Sequence, residues 1–440
     1  MTPWWSHHPP VKAAHTIALL SLPWTGTTAV NVLLQSLQLA YRNVTRNRRR
    51  SVLAASAVFF GVFALLTIRG VLNGVQLAQR LAMVERYTGA LQVHKKGYMA
   101  QVLGSPMRFA FVADEALLAR LSAVPHVTGV TRRLVFGGML NANDTNAMAL
   151  ITAFDPDAEF KVCPRRREDV STGSTLSAQE PNGLLPAAAL VRRLNWKPGQ
   201  PAALLTNDVD GVFNALDVTL RGTSGLPNVP GVEARTMMMT LAAAQQLLRT
   251  DNRVTELALG LDDQKHLRAV EAAVRVAVGP DYEVHTWEDL APQLLQEEHN
   301  QEIIFGVFVG IFILAALLGI TNTMLVNMLE RIREIGTMLA IGARRKRILT
   351  LFILEGLLLA LLGCFAGMAV ALSLVAWLHH VGIHLKFIGG GILHIYPFTN
   401  PLQAGALTVL CGVGAVVASY FPASRASRMS PVRALMGNEG

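Results

Sequence analysis

The residues of this 440-residue chain that could do chemistry are recognition residues rather than catalytic ones. Residues 330–356 read ERIREIGTMLAIGARRKRILTLFILEG. A break at Gly336 is followed by an apolar ridge of Met338, Leu339 and Ile341, then by Gly342 and four consecutive cations, Arg344 to Arg347. Such a ridge needs a burial site, either lipid headgroups or the groove of a partner protein. The cations alone would serve as a membrane anchor. Elsewhere the usual constellations are missing: the sequence has no GxSxG, no HExxH and no obvious Ser/His/Asp grouping. Cys364 and Cys411 lie in apolar runs, which leaves Cys163 alone in the polar centre, with no CxxC or Cys/His spacing that suggests zinc. His379, His380, His384 and His394 form a loose cluster without a carboxylate, so no metal site is expected. The expected chain is a non-catalytic membrane subunit.

Composition explains what must position these residues. The chain is 51% hydrophobic and only 16% charged, against about 25% charged in soluble domains, and its mean hydropathy is +0.36. A soluble enzyme and a disordered protein are both disfavoured. The net charge of +9 is unevenly spread: residues 76–302 hold 22 Lys and Arg against 26 Asp and Glu, a net of −4, so the excess lies beside the apolar runs. That distribution argues for membrane orientation and against nucleic acid.

A bilayer core needs about 20 apolar residues in a helix. Residues 52–68, 303–329 and 402–424 are uncharged, and residues 348–381 carry one charge, Glu355. Residues 17–22 are too short to span, and Pro23 interrupts them. The expected domains are a cytoplasmic segment 1–50 with an amphipathic lead-in helix, transmembrane helices at 51–75, 303–329, 348–381 and 402–424, a periplasmic domain 76–302, a cytoplasmic segment 330–347, a periplasmic loop 382–401 and a cytoplasmic tail 425–440. Arg and Lys before span one, between spans two and three and after span four place both termini in the cytoplasm. Glu355, two turns past Arg347 on the same face, is expected to pair with it.

The domain inserted between spans one and two reads as α+β. Residues 114–122 and 262–278 have helical apolar spacing, and each precedes a strand-like stretch. The Pro-, Gly- and Asn-rich residues 160–235 look like a separate small β subdomain between two α/β units, and Met237 to Met239 like a core strand. Small residues at Gly306, Gly310 and Gly319 in span two, and at Gly363 and Gly367 in span three, would let helices approach closely.

Three segments together resemble one family. Residues 330–356, the lead-in LAYRNVTRNRRRSV (39–52) and the C-terminal PASRASRMSPVRAL (422–435) are similar to the coupling region, lead-in and C-terminal signature of FtsX-like ABC transporter permeases, the superfamily of MacB and the lipoprotein-releasing Lol permeases. Residues 183–199 (GLLPAAALVRRLNWKPG) resemble a family stretch of the outer domain. Gln200 stands where that stretch has Asp, and Arg433 where an acidic residue is commoner. The resemblance covers residues 36–436 and implies a bacterial inner-membrane permease subunit.

It also implies an ABC ATPase partner that binds ATP and Mg, with no cofactor on this chain, because the sequence has no GxxxxGK[ST] phosphate loop. A second permease copy or paralogue is implied, with membrane lipid, lipoprotein cargo and a periplasmic carrier or adaptor as further partners. Arg331, Arg333, Glu334, Ile335, Gly336, Met338, Leu339, Ile341 and Gly342 are the expected ATPase-coupling residues. Glu334 is expected to meet a partner cation or cap the helix start. Phe59, Phe60, Phe63, Phe305, Phe308 and Phe312 would line a substrate cavity, and Gly306, Gly310 and Gly319 a dimer interface. The leading expectation is release of lipoprotein toward the outer membrane. The alternatives are a signalling scaffold that activates a periplasmic partner and a MacB-like exporter of periplasmic substrates.

Overall fold

The computed structural model describes residues 29–46, 48–102, 104, 106–224, 235–386 and 392–429. The last residues of the C-terminal signature, Arg433 among them, lie outside the described residues. The helices used below are numbered in chain order: α1 (Ala29–Arg46), α2 (Arg48–Ala82), α3 (Glu115–Ser122), α4 (Pro156–Val162), α5 (Ala188–Leu194), α6 (Leu241–Leu248), α7 (Leu267–Val278), α8 (Pro292–Glu330), α9 (Ile332–Ala340), α10 (Arg345–Val381) and α11 (Pro401–Ser427). The described residues fall into two compact units, with boundaries at Asn73/Gly74, Gln301/Glu302, His380/Val381 and Tyr396/Pro397.

The first unit holds the candidate membrane spans. Among the described residues, four helices are long and apolar enough to cross a bilayer: α2 with its short continuation to Thr88, α8, α10 and α11. In hydrocarbon every backbone polar group must be satisfied within the segment, which is why uncharged runs of this length become unbroken helices. Helix α11 starts where Asn400 accepts a hydrogen bond from Leu402 N (2.9 Å) and Pro401 takes the first helical position, which needs no N–H partner. Ahead of α2, the lead-in helix α1 buries Ser36, Ala40 and Val44 while Leu34 and Tyr41 stay exposed.

The second unit is α+β. The strands of its main sheet are β1 (Leu91–Lys95), β2 (Val127–Ala142), β3 (Thr145–Phe154), β4 (Gly183–Pro186), β5 (Ala202–Asn207), β6 (Phe213–Leu220), β7 (Thr236–Thr240), β8 (Glu256–Leu261) and β9 (Tyr282–Thr286). They lie in the order β9-β1-β8-β2-β3-β7-β4-β6-β5, and β5 pairs again with the far end of β2 (Met139 with Leu205, Ala142 with Ala202). Six strands therefore close into a ring. The 160–235 stretch is thus not a separate subdomain: its strands β4, β5 and β6 hydrogen-bond into the same sheet as β2 and β3. Closure needs a close approach at Gly138, where a Cβ would lie 2.9 Å from Ile151 Cδ1 and 3.3 Å from the Leu205 carbonyl oxygen.

The long strand β2 spans two cores. Its first half, beside β8, belongs with a core of Leu91, Leu121, Leu257, Leu259 and Val274, and its second half, Leu134, Phe136 and Leu140, packs with Ile151, Leu204, Met237 and Met239. Met237 to Met239 are thus core strand, in β7. Asn143 and Asp144, both at positive φ (50° and 57°), close the β2–β3 hairpin, a two-residue turn that Asn and Asp tolerate. Helix α3 begins where Asp114 accepts from Leu117 N at 2.8 Å. Helix α7 starts at Leu267 rather than 262, because Asp263 to His266 are spent on a capped turn.

Between the two cores lies a buried ionic cluster. Glu159 on α4 accepts from Arg133 Nε and Nη2 (3.0 and 2.7 Å) and from Arg166 Nη1 (2.6 Å). Both arginines also donate to main-chain carbonyls just past α2: Arg133 to Tyr87 (2.8 Å), Arg166 to Arg86 (2.6 Å) and Tyr87 (3.0 Å). Cys163, fully buried, accepts from Arg133 Nη2 at 3.2 Å, so its thiol is shielded in the native domain. Burial pushes the Glu159 carboxyl up, but the two guanidiniums outweigh it and hold it below the usual carboxylate range.

Removing one partner of such a cluster strands a buried charge. Arg133→Met is expected to destabilise the domain by about 3–5 kcal/mol, read by thermal or denaturant unfolding of the full chain in detergent. Glu159 contributes stability above its unfolded pKa of about 4.3 and loses it as pH falls through the lower folded value. Glu159→Gln should therefore flatten the acid limb of the stability profile. An unchanged acid limb would place that limb's cause elsewhere.

Candidate coupling site

The 330–347 segment is built by a helix break at Arg331. Helix α8 ends at Glu330, Arg331 leaves helical geometry (φ −106°, ψ 14°), and α9 follows. The Arg331 side chain is buried and donates from Nε to Glu334 (3.0 Å) and from Nη1 to Glu355 on α10 (3.4 Å). The other Glu334 oxygen accepts from Arg46 Nη2 at the end of α1 (2.7 Å). Four alternating charges, Arg46–Glu334–Arg331–Glu355, thus tie α1, α9 and α10 together. Burial pushes Glu334 up, but the hydrogen bonds from Arg46 and Arg331 prevail and hold its carboxyl below the usual range.

Two expectations change here. Glu355 pairs with Arg331, because the break after α8 turns that guanidinium back onto α10. Glu334 does not cap α9, whose first residues have no side-chain cap, and its cations come from its own chain.

The apolar ridge is divided. Ile335 and Gly336 are buried, with Ile335 in the core beside Val44, Ile348 and Phe352. Met338 and Leu339 pack against that same core, so they serve the fold of this unit. Ile341 is 58% exposed, and Arg333, Ala340 and Gly342 are exposed with it. Gly342 (φ 93°) ends α9: its N–H reaches Leu339 O (3.1 Å) and the Ala343 N–H reaches Met338 O (3.0 Å). That left-handed cap is a glycine conformation. Ser36, Leu39, Asn43, Arg331, Met338 and Arg347 are among the residues around a small cavity of about 40 Å³ beside the ridge.

The six phenylalanines do not converge on one cavity. Phe63, Phe305 and Phe312 pack against the core of this unit, while Phe60 and Phe308 are exposed. Phe59 and Phe63 lie parallel at 6.1 Å, and Phe59 meets Phe60 edge-on at 5.1 Å. Arg69, paired with Glu302 at 2.8 Å, sits over the Phe305 ring at 5.3 Å.

The two small-residue motifs also part company. A Cβ on Gly363 would collide with the Ala55 carbonyl oxygen, and one on Gly367 would lie 2.6 Å from that of Phe59, so span three uses its glycines against span one. A Cβ on Gly306 or Gly310 would meet nothing within 4 Å, and one on Gly319 only Ala57 at 3.8 Å. Among the described residues, the side chains spaced to hold a metal ion are His126, Asp262 and His266, in the other unit.

These contacts predict opposite outcomes for the same change. Gly363→Val forces backbones apart and should abolish stable protein in detergent. Gly306→Val should leave single-chain stability within about 0.5 kcal/mol, as at surface sites. Equal losses from both substitutions, measured by thermal unfolding, would sink this assignment of the seam.

Comparison with known proteins gives the site its context. Residues 306–431 match the family described as FtsX-like permease C-terminal. The macrolide export ATP-binding/permease protein MacB of Rhodopseudomonas palustris is 24% identical over 97% of this chain and 64% of its own length. The MacB of Sodalis glossinidius is 24% identical over 91% of this chain and 60% of its own length. The chain thus spans less than two thirds of these relatives. YvrN of Bacillus subtilis, an uncharacterized ABC transporter permease, is 23% identical over 92% of this chain and 99% of its own length. The crystal structure of the periplasmic region of MacB from Actinobacillus actinomycetemcomitans covers 49% of this chain and 96% of its own, at 10% identity and a TM-score of 0.35. The four apolar helices and the segment Arg331 to Gly342 accordingly lie in a chain whose residues 306–431 match the FtsX-like permease C-terminal family and which is similar over most of its length to MacB-type ATP-binding/permease proteins.

Proposed function

We propose that this chain is the permease part of an ATP-driven transporter of the bacterial inner membrane, and that it passes the movement of an ATPase to a periplasmic domain. In this reading both termini are cytoplasmic, and ATP and Mg are held on the ATPase, since the 440 residues contain no phosphate loop. A second permease copy or paralogue completes the machine. The observation that carries the reading is the strapped segment α9. It is tied to α1 and α10 by four charges and by Ile335, yet it leaves Arg333, Ala340, Ile341 and Gly342 facing outward. A segment fixed on one face and bare on the other suits the groove of a moving partner. The chain passes from one unit to the other within α2 and again within α8, which gives that movement two helical routes.

For the substrate, the proposal is a lipidated or amphipathic molecule, with lipoprotein released toward a periplasmic carrier as the specific form. The exposed rings of Phe60 and Phe308 supply apolar surface for an acyl chain. A second reading, export of a small periplasmic molecule, is favoured by the relatives: two are named for macrolide export and another, from Pseudomonas entomophila, for pyoverdine export. Photo-crosslinkers at Phe60 and Phe308 separate the two. Lipoprotein adducts support the first, whereas adducts with phospholipid alone count against it.

Coupling has its own test. Losing about 1–3 kcal/mol of buried apolar contact at Ile341 would weaken ATPase association roughly 5- to 150-fold. Ile341→Asp should therefore release the ATPase in co-purification while the chain inserts and unfolds normally. Leu339→Asp should instead destabilise the chain itself, because Leu339 packs inward. Arg345→Ala removes one of several exposed cations and should change little. Full ATPase binding and stimulated hydrolysis with Ile341→Asp would reduce the segment to a membrane anchor.

A further inference from the structure

We propose that His126, Asp262 and His266 form a binding site for a divalent transition-metal ion of the zinc class. The three come from two places in the sequence and meet at one corner of the extramembrane sheet. His126 is the residue before β2 and Asp262 the residue after β8, where Leu261 faces Val127 in the strand register. The Asp262 N–H donates to the His126 carbonyl at 3.2 Å, so the pairing continues one step beyond the strands. His266 stands one helical turn after Asp262 and immediately precedes α7.

The side chains converge on one carboxylate. His126 Nδ1 lies 2.9 Å from Asp262 Oδ2, and His266 Nδ1 lies 3.2 Å from Oδ1. The two imidazoles stack with centroids 3.6 Å apart. One ligand atom from each residue can be chosen so that all three lie within 4.8 Å of one another. Zinc–nitrogen and zinc–oxygen bonds of about 2.0–2.2 Å would require the two rings to fan out of their stack, which their exposure to solvent allows.

Two imidazoles and a carboxylate make a mixed nitrogen and oxygen donor set for a cation. Two histidines and one carboxylate, with positions left open to water, suit zinc and its neighbours rather than calcium or magnesium. The side chains are 39% to 48% exposed, so an ion has an entry path and room for water ligands. Asp263 does not compete, since its carboxylate accepts from Lys265 N (3.0 Å) and pairs with Lys265 Nζ.

His126 sits at φ 71°, a conformation that costs a branched or bulky residue free energy and that asparagine tolerates well. This supplies a clean variant, because His126→Asn removes the imidazole and keeps the turn.

The test is calorimetric titration of the full chain, purified in detergent without a histidine tag, with zinc chloride alone. One zinc per chain is expected. His126→Asn and His266→Ala should each weaken it at least about tenfold, the loss that even an outer partner of a bound metal costs. His299→Ala, an exposed histidine elsewhere in the domain, should bind as the parent does. X-ray absorption on the zinc-loaded parent should give a nitrogen and oxygen shell with two imidazoles, a readout that depends on no variant. No zinc uptake by the parent, undiminished uptake by a His126→Asn/His266→Ala double variant, or a shell without imidazole would each leave the three residues a hydrogen-bonded cluster only.

Discussion

A carboxylate with no access to water is tolerable only if its surroundings replace the solvent it lost, and Glu159 is the group on which the extramembrane domain turns. Its oxygens take three hydrogen bonds from Arg133 and Arg166. The same guanidiniums then reach the carbonyls of Arg86 and Tyr87, just past the last turn of α2. Those carbonyls belong to a helix end, where backbone acceptors lack partners within the helix. One buried carboxylate thus does three things through its partners: it orients two arginines, fixes the middle of β2, and lets those arginines close the end of a long helix against the sheet. Replacing all three charges together by apolar side chains of similar volume could match the cluster's stability. It could not supply donors to the helix carbonyls.

The membrane unit repeats the device with weaker members. In the series Arg46–Glu334–Arg331–Glu355, the outer pair is about half exposed and the inner pair is buried. Exposed pairs are worth little and are screened by salt, whereas a buried pair punishes the loss of either member. The inner pair therefore fixes α9 to α10, and the outer pair holds α1 in a contact that can open at small cost. Under the proposed function, that gradient lets the lead-in helix yield while the coupling helix keeps its place.

Much of this was legible in the sequence, and the rest failed for physical reasons. Uncharged runs of bilayer length need no tertiary information, so the four apolar helices could be read directly. The helix within residues 114–122 and the core strand of Met237 to Met239 follow from local spacing and could also be read. Ring closure by β5 against β2 could not, because a pairing between residues some 60 positions apart leaves no local signature. The ridge of α9 announced an apolar face without saying what covers it: Met338 and Leu339 turned to the chain's own core and Ile341 did not. Glu355 was matched to Arg347 by counting turns of an unbroken helix, and the break at Arg331 brought a different cation. The glycines of spans two and three look alike in sequence, and only the fold distinguishes a packed seam from an open face.

That seam has a consequence for how the protein is made. Span three meets span one backbone to backbone at Gly363 and Gly367, yet about 300 residues separate Ala55 from Gly363 in the chain. At a synthesis rate of roughly 5–20 residues per second, span one waits about 15–60 seconds in the membrane before its partner emerges. The extramembrane domain is translated in that interval. Throughout it, a single helix whose backbone at Ala55 and Phe59 is shaped for glycines must stay in the lipid without its mate and avoid other helices with small residues. Assembly of the membrane unit is therefore set by the ribosome's clock, and any lengthening of the inserted domain prolongs the time span one spends alone.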